Sequence, residues 1–445
     1  MSVDRGSRES GVGSRSLTAG RFHFAIVLLL LLLFLALRVP LLLYREPFFD
    51  ELFTRWIAGK SFAGILAALR LDSGPPLYYF VVHAMGDPSI VATRVLSLIC
   101  AAISIVLVLQ ATRWAPAAAI LLAVFPPAVL FAADARAYAM CAMFVTIAVL
   151  AIDRDWPLVA AIALVLAAYS HYYGVLFFPI LLLTAAGPAA IQPAGRRRYT
   201  WFRRYDWRRR FASLALAVIL FVPGFWLAMQ QPAAAREWMT RSWPDGLFVR
   251  PPLALTIVGV VALLLSLRIN RYLFMVIVPL ILAIALRVYV PMRFEAVIAA
   301  PLVLWLAESL RQNRFRLVLM AALIGVGVTW SALGILDHAG RPADPYRQAA
   351  RWVAGNIAAN QNVVASGYCY LETLMNGHQR LTAFPPEQGE HPGWRALPQA
   401  GLRAPAGLFF WIGERSAPEL DIFVHERRRI QPLFINDRAM VALVR

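Results

Sequence analysis

From Phe24 to Leu43 the chain runs for about 20 residues with a single charge, Arg38. Wound as an α-helix, such a run spans about 30 Å, the thickness of a bilayer's hydrocarbon core. Similar runs recur near 88–109, 115–133, 137–152, 156–172, 174–190, 211–229, 252–267, 272–289, 294–310 and 317–336. Hydrophobic residues make up 60% of the 445, whereas soluble domains are under about half apolar. The pattern predicts a mainly α fold, a polytopic transmembrane bundle of about eleven helices.

The formal charge of +18 would point to nucleic acid in a soluble chain. Here arginine-rich loops between spans account for it, and no nucleic-acid partner is expected. Lys60 is the only lysine, so arginine supplies almost all the cationic charge. Arg196, Arg197, Arg198, Arg203, Arg204, Arg208, Arg209 and Arg210 crowd one loop. Arg268 with Arg271, and Arg311, Arg314 and Arg316, crowd two more. With a cytoplasmic N-terminus all three loops fall inside. An odd number of helices then puts the C-terminal tail outside. Aromatics interleave the Arg196–Arg210 segment, as in a helix lying on anionic head groups.

Residues 1–23 are rich in Ser, Gly and Arg and are expected to be a disordered cytoplasmic N-terminus. The transmembrane domain is placed at 24–338, with a first outer loop at 44–87. Short helices are expected in that loop, with Phe53, Trp56 and Ile57 on one apolar face. Hydropathy falls after Leu336, and 339–445 reads as a small extracytoplasmic α/β domain. It has helical character over Tyr346–Ala359 and strands at Asn362–Ala365, Gly407–Ile412 and Met440–Val444. Cys100, Cys141 and Cys369 have neither metal nor redox spacing.

This topology gathers unusual polar residues at one membrane face. Asp50, Glu51 and Asp72 lie in the first outer loop. Asp134 and Arg136 end the third span, and His171 lies near the end of the fifth. Arg236 and Glu237 follow the seventh, and Arg293 and Glu295 lie between the ninth and tenth. Acids at a lipid–water boundary are expensive, so their convergence marks a candidate site. Each has a plainer reading beside it. Asp134 with Arg136 is also a reasonable structural ion pair, His171 an interfacial hydrogen-bonder, and Glu51 a solvated helix-start acid. The Tyr78–Tyr79–Phe80 cluster fits an interfacial belt or a surface on which a sugar stacks.

The ordered motifs resemble those of the bacterial lipid-linked glycosyltransferases of the C-type fold. Relatives include the protein O-mannosyltransferases and the transferases that add aminoarabinose to lipid A. FDE follows the first span, then come DSGPPLYY at 72–79, ADARAY at 133–138 and YSHYYG at 169–174. MRFEAVIAAP at 292–301 and DPYRQAARWV at 344–353 continue the order. Three positions depart: Gly74 stands where the family usually has His, Asp134 where it has Glu, and Phe294 where it has Tyr.

The resemblance implies a multi-pass enzyme of the bacterial cytoplasmic membrane. Its donor would be a polyprenyl-phosphate sugar, and its acceptor a lipid, glycan or protein hydroxyl. It implies Asp50 as general base, with Glu51 beside it in catalysis. Asp72, Tyr78, Asp134, Arg136, Tyr138, His171, Tyr172, Arg236 and Arg293 would bind substrate. A divalent cation is possible, although no spacing indicates a metal site. A secondary transporter of a polar or lipid-linked solute is the alternative, but its site would sit near the bilayer midplane between repeated halves. A non-catalytic scaffold or sensor using the outer domain is a third reading.

Overall fold

A computed structural model of the chain describes residues 10–86, 88–111, 115–183, 207–232, 253–311, 313–340, 344–386, 389 and 402–445. In chain order the helices are α1 (Ser10–Tyr44), α2 (Phe49–Ala58), α3 (Phe62–Leu69), α4 (Leu77–Ala84), α5 (Ile90–Leu109), α6 (Ala115–Val124), α7 (Pro126–Ala132), α8 (Tyr138–Asp153) and α9 (Pro157–Ser170). After a 3-10 segment, Tyr172–Phe177, come α10 (Ile180–Leu183), α11 (Trp207–Gln230), α12 (Leu253–Ser266), α13 (Arg271–Ala285), α14 (Arg293–Val297), α15 (Ala299–Arg311) and α16 (Arg316–Gly340). Among the described residues, four stretches are both long and apolar enough to cross a membrane; they begin at Phe24, Ile90, Arg208 and Arg316. Their outward side chains, including Leu32, Ile99, Ile219 and Trp226, are exposed, as in a bundle solvated by lipid.

Helices occupy the expected spans, but three of those spans are broken. Pro126 forces Phe125 out of the helical region, to φ −65° and ψ 115°, and so splits 115–133 into α6 and α7. The 174–190 span reads as the 3-10 segment and α10, parted at Pro179; beyond 183 it lies outside the described residues. The 294–310 span divides into α14 and α15 at Ile298. Helix α1 begins at Ser10, inside the stretch read as the N-terminal tail.

The bundle core is rich in alanine. Ala148 and Ala151 on α8, and Ala160, Ala161, Ala167 and Ala168 on α9, are buried in one cluster. Small residues there let backbones approach closely in lipid. The two ends of α8 are chemically distinct. At its far end Asp153 pairs with Arg271 and accepts from the Tyr272 hydroxyl at 3.2 Å. At its start lies the turn 133–137.

The C-terminal domain comprises α17 (Pro345–Asn356), β1 (Val363–Ala365), α18 (Tyr368–Met375), β2 (Leu381–Ala383), β3 (Phe409–Glu414), α19 (Glu419–His425), β4 (Ile430–Ile435) and β5 (Ala439–Val444). The sheet order is β2-β1-β3-β5-β4. β1 runs parallel to β2 and β3, while β5 is antiparallel to β3 and β4. Helix α18 packs Leu371, Leu374 and Met375 against Leu52, Phe53 and Ile57 of the first loop. The Tyr368 ring meets Phe49 edge-on at 4.6 Å. Arg347 bridges Glu372 and Glu46, both at 3.0 Å, and Arg351 reaches Glu46 at 2.9 Å. Two contacts thus dock the domain on the loop: an apolar patch and a charged latch.

Candidate active site

Helix α2 places Asp50 and Glu51 in its first turn. Consecutive helical residues point about 100° apart, so the two acids diverge. Glu51 turns inward and is 0% exposed. It accepts from Arg94 Nε at 2.8 Å and Nη2 at 2.5 Å, from the Ala135 N–H at 2.8 Å and from the Phe48 N–H at 3.2 Å. Arg94 in turn donates to the Leu42 and Arg45 carbonyls at 3.3 and 2.8 Å. One carboxylate therefore ties α2, α5 and the 133–137 turn together. With its oxygens taken by four donors, Glu51 presents no open face to a substrate, in contrast to the catalytic role expected of it.

Asp50 faces the other way. Its side chain is 35% exposed, with Arg293 at 3.7 Å and Arg136 at 4.0 Å. Both separations exceed a direct hydrogen bond, leaving room for an oxygen to enter between them. Arg136 Nη1 is fixed by the Asp50 carbonyl and Thr54 Oγ1, each at 3.3 Å. Arg293 Nη1 donates to the Tyr138 hydroxyl at 3.1 Å. The Tyr138 ring lies 4.8 Å from that of His171. His171 Nδ1 accepts from the Tyr173 N–H at 3.2 Å, which leaves the proton of a neutral ring on Nε2.

Local backbone features aim these side chains. Met292, just before Arg293, adopts φ 67° and ψ −42°. A residue with a side chain is strained there, and the surrounding packing must hold it. A Cβ on Gly174 would fall 2.4 Å from the Ala167 backbone. Only glycine allows the chain to fold back so tightly over the end of α9 beside His171. At the other end of the loop, Gln231 Nε2 donates to the Leu69 and Gly74 carbonyls, each at 2.9 Å.

The remaining expected residues divide. Asp134 is buried and pairs with Arg45, on the Glu51 side of the 134–136 turn rather than with Asp50. Tyr78 is buried, 3.5 Å from Ser97 Oγ, and that hydroxyl donates to the Arg136 carbonyl at 3.3 Å. Both therefore support the turn that carries Arg136. Tyr172 packs against the bundle core. Its neighbour Tyr173, not singled out from sequence, meets His171 at 4.4 Å between ring centroids. Arg236 and Glu237 lie outside the described residues.

Asp72 sits in the electrostatic field of Asp50 and Arg136. Burial pushes its carboxyl up from the ordinary value, against the pull of the Ser73 backbone and Arg136. Tyr79, read from sequence as part of the Tyr78–Tyr79–Phe80 cluster, lies in the same field. A Cβ on Gly74 would come within 3.3 Å of the Tyr79 ring and hydroxyl. That crowding leaves little room for a side chain at position 74. Among the described residues no three His, Cys, Asp or Glu side chains gather as metal ligands. Glu51 and Asp134 are each occupied by an arginine.

No protein-family model and no curated protein matches the chain. Solved structures do. ArnT from Cupriavidus metallidurans bound to undecaprenyl phosphate is 14% identical, with a TM-score of 0.55, covering 96% of this chain and 98% of that one. ArnT of the same organism in the apo state is 13% identical, with a TM-score of 0.57 and the same coverage. The chain has the ArnT fold. The ArnT likeness extends over both the bundle and the C-terminal domain.

Proposed function

We propose that this protein transfers a sugar from a polyprenyl-phosphate donor to an acceptor hydroxyl at the outer face of the bacterial cytoplasmic membrane. The observation that carries the reading is the accessible Asp50 carboxylate set between the Arg136 and Arg293 guanidiniums. The ArnT fold supports the class of reaction, and undecaprenyl phosphate bound in one ArnT structure supports the class of donor.

Two guanidiniums against one carboxylate leave a net positive site. Guanidinium binds phosphate oxygens through paired N–H groups. The donor phosphate, held at head-group depth by its lipid tail, takes the arginine side. The acceptor hydroxyl approaches Asp50, which accepts its proton as the oxygen attacks the anomeric carbon. The new carbon–oxygen bond forms as the bond to phosphate breaks on the opposite face, so the configuration inverts. Polyprenyl phosphate leaves as an anion, and the arginines stabilise the charge growing on it. Glu51, Arg94, Asp134 and Arg45 act as positioning residues for the loop and turn. Tyr138 orients Arg293.

The test is transfer in proteoliposomes supplied with radiolabelled polyprenyl-phosphate sugars and a membrane extract as acceptor. Label moving from lipid phosphate to extract supports the reading. Vectorial uptake into sealed vesicles without transfer supports a transporter.

A further inference from the structure

Arg38 lies inside α1, about 9 Å along the axis from the helix end at Tyr44. It is 1% exposed. Its Nη1 donates to the Ala123 carbonyl at 2.8 Å, an acceptor left open because Pro127 has no N–H to close that helical turn. The guanidinium carbon sits 4.5 Å from the centre of the Phe34 ring. Nε has no hydrogen-bond acceptor, and among the described residues no carboxylate pairs with Arg38. The other arginines buried to this degree, Arg94 and Arg347, each meet a carboxylate. A guanidinium keeps its charge. A carbonyl and a ring face lower the cost of that charge inside a bundle, but neither neutralises it.

A cavity of about 30 Å³ adjoins Arg38, with Ser104 and Thr146 as its other polar walls and mostly alanine elsewhere. That is room for roughly one or two water-sized species. Ser104 Oγ donates to the Cys100 carbonyl at 3.0 Å, and Thr146 Oγ1 to the Ala142 carbonyl at 2.7 Å. Both carbonyls already belong to the hydrogen-bond ladders of α5 and α8. Either hydroxyl can therefore turn toward the cavity without orphaning an acceptor. Phe131, also in the wall, meets the Tyr138 ring at 4.8 Å between centroids. The cavity thus lies one side chain away from the candidate active site.

We propose that this cavity binds one small monovalent anion of the chloride class, held by Arg38 with the hydroxyls of Ser104 and Thr146. A water molecule fits the space but leaves the charge without a counter-charge. An organic phosphate or carboxylate exceeds the space. The ion gives Arg38 what Glu51 gives Arg94 and Glu372 gives Arg347. It also ties α1 to α5 and α8 through one shared centre. The site takes no part in the sugar-transfer reading and stands without it.

The test uses the full chain in two measurements. Protein purified in sodium bromide is crystallised, and a bromine anomalous peak is expected within hydrogen-bond distance of the Arg38 guanidinium. Density there without anomalous signal is water and overturns the proposal. In nanodiscs of zwitterionic phosphatidylcholine, thermal unfolding is followed by tryptophan fluorescence as chloride replaces gluconate, which is too large for the cavity, at fixed ionic strength. The midpoint is expected to rise saturably by at least about 2 °C with chloride or bromide, and not with sulfate. Arg38→Met is expected to abolish the dependence. The double variant Ser104→Ala, Thr146→Val keeps Arg38 and its carbonyl bond, so it guards against misfolding of Arg38→Met. It is expected to raise the half-saturating chloride concentration at least about fivefold. A wild-type midpoint that chloride leaves unmoved, or the same chloride dependence in Arg38→Met, overturns the assignment.

Discussion

Arg94 and Glu51 meet through two hydrogen bonds, 2.8 and 2.5 Å long, with side chains only 2% and 0% exposed. Asp50, next along the same helix, remains accessible. Adjacent acids thus have opposite duties, and substitution separates them. Removing one partner of a buried pair costs about 3–5 kcal/mol, because the other charge is left uncompensated. Glu51→Ala is expected to lower unfolding stability in detergent by about that much, and Asp50→Asn by under about 1 kcal/mol. Chemical unfolding monitored by tryptophan fluorescence checks both. Equal losses would contradict the division of roles.

Arg136 and Arg293 are assigned to the donor phosphate. A lysine at either position keeps the charge but loses the planar fork. Arg293→Lys and Arg136→Lys are each expected to raise donor KM at least about tenfold, with a smaller rise for Tyr138→Phe, which removes only the hydroxyl facing Arg293. Steady-state kinetics with varied donor checks this. Unchanged donor KM in both lysine variants would move the phosphate elsewhere.

Asp72 predicts a pH effect. Its folded value is raised by burial, so the neutral acid is favoured in the native state. That contribution is fully present below the unfolded value, about 3.9, and is lost as pH rises through the folded value. Ionisation there also adds a negative charge beside Asp50 that competes for Arg136. Asp72→Asn cannot ionise. Stability should fall with rising pH through that window in the wild type and stay flatter in Asp72→Asn. Parallel profiles would remove Asp72 from the account.

Much of the fold was legible because lipid imposes a simple rule: long apolar runs become helices. The breaks at Phe125 and Pro179 were less visible, since a proline within an apolar run barely alters its hydropathy. In the C-terminal domain β1, β3 and β5 were readable as apolar runs. Strand β4 was not: it contains Pro432 and is mostly exposed at the sheet edge. The directions of the candidate site residues were not legible. Sequence spacing shows that Asp50 and Glu51 are neighbours; only the position of Arg94, from a distant helix, decides which is buried. For the Tyr78–Tyr79 and Tyr172–Tyr173 pairs likewise, spacing does not decide which ring faces the site, because that depends on packing.

The latch between domains gives a further prediction. Burial alone would raise Glu46, but Arg351 and Arg347 bring it below its ordinary value. A lowered carboxylate stabilises docking above its unfolded value, about 4.3, and that contribution is lost as pH falls through the folded value. Exposure to solvent weakens the pair, and the apolar patch of α18 remains. Glu46→Gln is therefore expected to speed proteolysis of the C-terminal domain modestly at neutral pH, and the wild type should approach the variant in acid. Identical cleavage rates across the pH range would show that the latch carries no docking energy.

The most direct test of the central claim compares wild type with Asp50→Asn in proteoliposomes, measuring both sugar transfer and retention of the radiolabelled polyprenyl-phosphate donor. The account predicts transfer falling at least about a hundredfold, as expected for loss of a general base, with donor still bound through Arg136 and Arg293. Transfer persisting at near wild-type rate in Asp50→Asn, with the donor bound, would contradict it.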